Sequence, residues 1–198
     1  LGELVQGGRP LIYVCSPEEG RVHNLLREVA DRLFAGRMPV WSWSLTAGLE
    51  HPDGRPAEKL SPQAVLDFIA AHKERGIFQL KDFHSFACDD PGIRRRLRDL
   101  YGLCLDSGKF AVITSPLRAI PEELNRQIAL VELQTPDIGE LAEFLRRETE
   151  AIACQGSPVD RSEPALYSMV RALQGLTLDE ARHALRRALA VTGSLDAN

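Results

Sequence analysis

The carboxylate of Asp82 stands at a point of this sequence where a side chain could act on a bound ligand. It follows the mostly apolar run 77–80, which is typical of a buried strand in a parallel sheet. Ligands of such folds bind at the carboxyl ends of the strands, where a carboxylate can hold a metal ion and a nucleotide. Alternatively, this carboxylate caps a helix or pairs locally, with Lys81, His84 or Arg21 as its partner.

Five short segments predict the strands of such a sheet, because each is rich in apolar and β-branched residues and is bounded by glycine, proline or polar residues. Helical spacing of apolar residues predicts a helix after each of the first four strands. Strands that alternate with helices favour a parallel sheet with right-handed crossovers. The composition of residues 48–61 predicts a surface loop. The strands are predicted at 11–15, 40–45, 77–80, 110–115 and 128–133.

From Asp137 onward the apolar residues keep a helical period, and three amphipathic helices follow without a strand between them. We therefore predict two domains. Residues 1–136 form the α/β body, and residues 137–198 form a small helical bundle.

Length and composition exclude several classes of protein. The 198 residues suffice for one large domain or a domain with a smaller appendage, and the net charge of −4 gives no overall attraction to nucleic acid or to an anionic membrane. No apolar run approaches the roughly 20 residues that span a bilayer, and no secretion signal is present, so we expect a cytoplasmic protein. The four cysteines lie far apart without metal-site spacing, which predicts free thiols and no metal site.

Residues 120–124, 128–145 and 175–181 carry a resemblance that covers nearly the whole chain. In this order they resemble the segment after the fourth strand of an AAA+ ATPase module, the fifth strand with its proline-acid entry into the lid helix, and a turn within the lid. More narrowly, the chain resembles the amino-terminal part of the ycf-type AAA ATPases of plastids, cyanobacteria and other bacteria. The segments that carry this narrower resemblance are 11–13, 39–44, Gly48 with Leu49, 77–84 and 113–116.

The resemblance implies a three-layer α/β/α body with a P-loop NTPase fold and a five-stranded parallel sheet, followed by a small helical lid. In the ycf-type family a degenerate module precedes a second module that carries the ATPase motifs, so this chain is expected to be the first of the two. ATP and Mg²⁺ are expected in the second module, and no cofactor in this chain. The implied role is non-catalytic and concerns subunit assembly, regulation or the binding of protein partners, including the ATPase module itself or further copies of the chain.

The phosphate-loop pattern G-x-x-x-x-G-K-[ST] tests this resemblance, since its amides wrap the phosphates, its lysine reaches them and its hydroxyl holds magnesium. Aligned with residues 15–22, the pattern matches at Gly20 alone; Arg21 replaces the lysine and Val22 replaces the hydroxyl. Ser16 is predicted to cap the helix that follows. We predict a degenerate phosphate loop.

Acidic residues in and near this loop oppose nucleotide binding further. Glu18 and Glu19 would face the phosphates, and a contact between like charges about 4 Å apart costs on the order of 4 kcal/mol before screening. At the strand end, either Lys81 replaces the magnesium-linked acid or Phe83 replaces the catalytic one. Because hydrolysis needs both acids, no catalytic residue is assigned.

Two further residues are assigned by the resemblance. Thr114 ends the fourth strand, where AAA+ proteins keep a residue that senses the γ-phosphate, and Arg126 lies near the position of an arginine finger that reaches a neighbouring subunit. The degenerate nucleotide site is therefore predicted to consist of Ser16, Gly20, Arg21, Asp82 and Thr114.

Two other functions stay open on the sequence alone. One is a divergent ATP-binding and hydrolysing domain that uses Arg21, Asp82 and Thr114. The other is a nucleic-acid-binding domain that uses the arginines of residues 94–98, although nearby aspartates favour a solvated helix face and make nucleic acid a disfavoured partner. Membrane binding is not expected.

Overall fold

Residues 1–195 are described by the computed structural model, in which the chain divides into two units after Leu133. The first unit alternates strands and helices. Its elements are α1 (Gly2–Gln6), β1 (Leu11–Cys15), α2 (Glu19–Phe34), β2 (Val40–Ser44), β3 (Gly48–Glu50), β4 (Pro56–Glu58), α3 (Pro62–Ala71), β5 (Gly76–Lys81), α4 (His84–Asp89), α5 (Pro91–Cys104), β6 (Lys109–Ser115), a 3₁₀ turn (Glu122–Leu124) and β7 (Ile128–Glu132).

The seven strands form one sheet in the order β4-β3-β2-β5-β6-β1-β7. The five strands that the sequence predicts are all present and pair in parallel, as β2-β5-β6-β1-β7. All of their carboxyl ends therefore lie at one edge of the sheet, which is where a parallel α/β fold binds its ligands.

An antiparallel hairpin of β3 and β4 extends the sheet beyond β2. The sequence predicts a loop here and a sheet of five parallel strands. That prediction is corrected, because the sheet has seven strands of mixed direction. An edge strand needs few apolar residues. In this hairpin only Leu49 is a buried large side chain, and all of β4 is exposed. Gly48 permits the close approach, because a Cβ there would lie 2.6 Å from the carbonyl oxygen of Glu58.

Helices cover both faces of the sheet because successive residues of each buried strand point to opposite sides. In β1, Leu11 and Tyr13 join a core with α3, α4 and α5, whereas Ile12 and Val14 join a core with α1 and α2. The three-layer α/β/α arrangement that the resemblance implies is confirmed.

The second unit begins at Gln134 and contains the three helices that the sequence predicts, α6 (Ile138–Cys154), α7 (Glu163–Leu173) and α8 (Leu178–Thr192). Capping boxes start two of them, since Asp137 and Thr177 each exchange hydrogen bonds with the glutamate three residues later. The three helices enclose an apolar core of their own. Among the described residues, no helix is long and apolar enough to cross a membrane.

A buried ammonium group joins α3 to the sheet. The Nζ atom of Lys109, a residue that is only 6% exposed, donates to the carbonyl oxygens of Ile69, Ala70 and His72 at 3.0–3.1 Å. These carbonyls belong to the last turn of α3, where backbone acceptors have no partner within the helix. Lys109 therefore supplies donors to carbonyls that the backbone of α3 leaves without a partner.

We expect Lys109→Met to lower the free energy of unfolding by about 2 kcal/mol, because it leaves carbonyls of the last turn of α3 without their charged donor. Urea denaturation followed by circular dichroism measures the change. Lys59→Met is the matched control, since Lys59 is exposed, and it should change stability by less than about 0.5 kcal/mol. Equal stability of the two variants would contradict the assigned role.

Candidate functional site

The carboxyl ends of β1, β5 and β6 form the candidate site, because β6 lies between the other two strands. Backbone hydrogen bonds continue past the strand ends. The N–H of Ser16 donates to the carbonyl of Ser115 at 2.8 Å, and the N–H of Asp82 donates to the carbonyl of Thr114 at 2.8 Å. The structure thus brings Ser16, Asp82 and Thr114 to one edge, with Gly20 and Arg21 in the first turns of α2.

The side-chain amide of Gln79 links three elements at this edge. Gln79 is fully buried in β5, and its Nε2 donates to the carbonyl of Glu19 at 3.1 Å and to the hydroxyl of Thr114 at 3.3 Å. Its Oε1 lies 2.9 Å from Nδ1 of His23 in α2. Sequence reasoning missed Gln79 and His23; the available signal was one polar residue inside an apolar strand, which must find partners when buried.

The loop after β1 contains a shielded ion pair. The Arg21 guanidinium donates to the Glu18 carboxylate at 3.1 Å, and the two side chains are only 7% and 8% exposed. The prediction that Ser16 caps α2 is wrong, since the helix begins at Glu19 with Glu18 as its N-cap residue. The backbone N–H of Ser16 donates to β6, and its hydroxyl accepts a hydrogen bond from the N–H of Glu18 at 3.1 Å.

The loop geometry differs from that of a glycine-rich cradle. Gly20 is exposed inside α2, where an added Cβ would meet open space, and no residue of 15–22 has a positive φ. The N–H groups of Glu18 and Glu19 donate to atoms of the loop itself. Val22 is fully buried in the core beneath α2.

Asp82 occupies a strained turn after β5. Its φ of 51° lies in the left-handed region, which non-glycine residues seldom adopt, and its side chain is exposed. Two of the local partners considered for its carboxylate are engaged elsewhere, since Arg21 pairs with Glu18 and Lys81 lies 3.7 Å from a carboxylate oxygen of Glu19. Phe83 is fully buried against aromatic rings of the core.

Arg126 lies apart from this edge. It is exposed in the connection that enters β7, and the amino ends of the parallel strands are at the opposite edge of the sheet. No interaction of its guanidinium is found within residues 1–195.

The arginines of α5 are mostly engaged with neighbouring groups. Arg94 contacts backbone carbonyls of α4 and the carboxylate of Glu123, Arg95 pairs with Asp99, and Arg96 pairs with Asp67; Arg98 is exposed. Neutralised charges contribute little to phosphate binding, so this helix gives no support to the nucleic-acid hypothesis. In the described part of the chain, no three His, Cys, Asp or Glu side chains are close enough together to hold a metal ion.

Family models match both units of the chain. Residues 1–133 match the N-terminal domain of the SpoVK-like AAA ATPases, and residues 139–198 match the second domain of the same proteins. Similar sequences include two plastid-type relatives described as uncharacterized AAA domain-containing protein ycf46. The relative from Trieres chinensis is 26% identical over 98% of this chain and 38% of its own length; that from Guillardia theta is 28% identical over 94% and 36%. The chain thus spans less than two fifths of these relatives.

Solved structures with a similar fold include two AAA+ proteins. The Caenorhabditis elegans PCH-2 structure matches 96% of this chain and 60% of its own, with a TM-score of 0.59 and 10% identity. The Thermotoga maritima RuvB Holliday junction branch migration motor matches 100% of this chain and 62% of its own, with a TM-score of 0.55 and 16% identity. At these identities the likeness concerns the fold alone.

We expect Gln79→Leu to lower the free energy of unfolding by about 1–3 kcal/mol, because the carbonyl of Glu19 loses its buried donor. Hydrogen exchange of the first turn of α2 should also become faster than in the unchanged protein. Gln63→Leu, on the exposed face of α3, is the matched control. A Gln79→Leu variant with unchanged stability and exchange would show that the amide does not hold this edge together.

Proposed function

The chain belongs to the SpoVK-like AAA ATPase family, and from that premise we propose that it forms a non-catalytic, degenerate AAA+-like domain of an AAA ATPase. Its role is in subunit assembly, regulation or partner binding. The observation that carries the proposal is the shielded Glu18–Arg21 ion pair, which occupies the segment aligned with the phosphate loop. A guanidinium already held by a carboxylate is not available to a phosphate unless that pair breaks.

The charge at the strand-end edge supports the same conclusion. Three carboxylates and two cations lie there, so their net charge is −1, and both cations are already paired with carboxylates at the start of α2. A triphosphate brings several further negative charges, and like charges repel at such short range. The five side chains are Glu18, Glu19, Arg21, Lys81 and Asp82.

The chemistry of hydrolysis lacks its usual groups as well. Phosphoryl transfer requires a held magnesium ion and an oriented water molecule. Val22 stands in the core where the pattern has a magnesium-binding hydroxyl, and Phe83 stands in the core where one alignment needs a base. The hydroxyl of Thr114 is buried and engaged by Gln79. Of the two positions aligned with the strand-end acids, Asp82 keeps an exposed carboxylate, and a single acid does not complete the set.

We therefore assign the domain a role in protein–protein contacts. Arg126 is exposed and makes no interaction within the described residues, so a neighbouring subunit or module can reach it without breaking an internal contact. The alternative, a divergent ATPase, needs Arg21 and Thr114, whose side chains are both engaged.

We expect calorimetry of residues 1–198 to show no saturable binding of Mg·ATP, which means a Kd weaker than about 1 mM. Circular dichroism controls for an intact fold. Micromolar, magnesium-dependent binding that Asp82→Asn or Thr114→Val weakens would contradict the proposal and support the divergent ATPase. If these variants leave Mg·ATP binding unchanged, the nucleotide binds elsewhere on the domain and not at the strand-end edge.

We expect Arg126→Ala to weaken self-association or subunit assembly of the full-length protein, because it removes an exposed guanidinium from the proposed contact surface. Sedimentation velocity at several concentrations measures the effect. Arg9→Ala removes another exposed arginine of the same unit and is the matched control. Identical sedimentation of the two variants and the unchanged protein would remove Arg126 from the proposed surface.

A further inference from the structure

Three arginines line one cavity at the carboxyl end of α2, at the opposite end of this helix from Glu18 and Arg21. The cavity has a volume of about 490 Å³, which lies within the range of small-molecule sites. No acidic side chain lines it. Its lining, which we call the arginine pocket, consists of Arg32, Leu33, Phe34, Ala35, Arg37, Met38 and Arg75.

The three guanidinium groups carry unneutralised charge. None of them makes an ion pair or a side-chain hydrogen bond within residues 1–195, whereas Arg21, Arg95 and Arg96 each bind a carboxylate. Two acids adjoin these arginines in the sequence, Asp31 and Glu74, and neither lines the arginine pocket. Asp31 lines a neighbouring cavity that also contains Arg27. The chain as a whole has a net charge of −4, so this local excess of positive charge is opposite in sign to the net charge of the chain.

The backbone at the end of α2 turns the chain so that these residues converge. Ala35 and Gly36 both have a left-handed φ, of 52° and 70°, and the N–H of Arg37 donates back to the carbonyl of Phe34 at 3.1 Å. Left-handed backbone is unfavourable for alanine and is kept only where the surroundings impose it. The turn returns Arg37 toward the helix that carries Arg32.

Two glycines make room for two of the arginines. A Cβ at Gly2 would lie 2.5 Å from the Nη2 atom of Arg32, and a Cβ at Gly108 would lie 2.8 Å from the Cγ atom of Arg75. The side chains of Arg32 and Arg75 therefore lie directly over backbone that has no side chain. Gly2 lies under the charged end of Arg32 and Gly108 under the stem of Arg75, and both arginines are exposed residues.

The negative end of the α2 dipole repels an anion, but only weakly. The carbonyl groups at a helix carboxyl terminus act as roughly half a negative charge. Three guanidinium groups outweigh that amount several-fold. Guanidinium also binds the oxygens of phosphate and carboxylate in a bidentate manner, which makes such groups its preferred ligands.

An apolar cavity adjoins the arginine pocket. It has a volume of about 230 Å³, shares Leu33, Phe34 and Arg75 with the arginine pocket, and is completed chiefly by Val5 and Phe110. A ligand that joins a charged group to an apolar part can therefore contact both cavities at once.

We propose that the arginine pocket is a binding site for a small ligand that carries a multiply charged oxyanion group, either a phosphate ester or a polycarboxylate. Arg75 directly precedes β5, so the pocket lies at the amino edge of the sheet, opposite the strand-end edge with Asp82. The ligand is held by Arg32, Arg37 and Arg75, and its apolar part contacts Phe34. The proposal does not depend on whether the strand-end edge binds a nucleotide.

Calorimetry with pyrophosphate and with citrate, each without magnesium, tests the site on residues 1–198. We expect saturable binding of at least one probe, weakened about tenfold or more when Arg32, Arg37 and Arg75 are all changed to alanine. Tighter binding of pyrophosphate assigns a phosphate ligand, and tighter binding of citrate assigns a polycarboxylate. The three arginines are exposed, so the variant should melt at nearly the same temperature as the unchanged protein.

The matched control changes Arg94, Arg95 and Arg98 to alanine, which removes the same charge from α5. We expect this variant to bind the probe within about twofold of the unchanged protein, because net charge alone does not build a site. Absence of saturable binding of both probes at about 10 mM would overturn the proposal. Equal weakening in the two triple variants would also overturn it, because the binding would then be unspecific.

Discussion

The buried amide of Gln79 is the interaction on which the strand-end edge of this protein depends. A polar side chain inside a parallel sheet must satisfy its hydrogen bonds within the protein, because the cost of leaving them unmade is comparable to a sizeable part of the total stability. Gln79 does so by binding Glu19, Thr114 and His23. The first turn of α2, the end of β6 and the middle of β5 are thereby fixed relative to one another, and polar groups that could have faced a ligand are used for structure.

The two edges of the sheet have opposite electrostatic character. At the carboxyl edge, Arg21 and Lys81 are paired with the carboxylates of Glu18 and Glu19, and the N–H groups of these two glutamates donate to atoms of the loop before α2. At the amino edge, the arginine pocket holds charge that nothing in the described chain neutralises. An AAA+ fold usually concentrates its anion binding at the carboxyl edge, where helix termini and strand ends converge. In this chain, the unneutralised guanidinium charge lies at the other edge.

Local patterns explain how much of the structure could be predicted from the sequence. The five parallel strands and the helices of the second unit have long, regular apolar periods, which tertiary context seldom overrides. The β3–β4 hairpin lacks such a period because edge strands need few buried residues, and its composition resembles a loop. The weak match to a phosphate loop could be predicted from the sequence. The pairing of Glu18 with Arg21 could not, since it depends on where α2 begins.

The arginine pocket could not be predicted from the sequence either, because Arg32, Arg37 and Arg75 come from separate segments that only the fold brings together.

The burial of Phe83 has an evolutionary consequence. Its ring packs against Trp43 and Phe86, directly after the exposed carboxylate of Asp82. A mutation to glutamate at this position would place a polar, ionisable group in the aromatic core, which would destabilise a marginally stable domain. Gain of an acid at this position by one substitution is therefore disfavoured, because several neighbouring rings would first have to change.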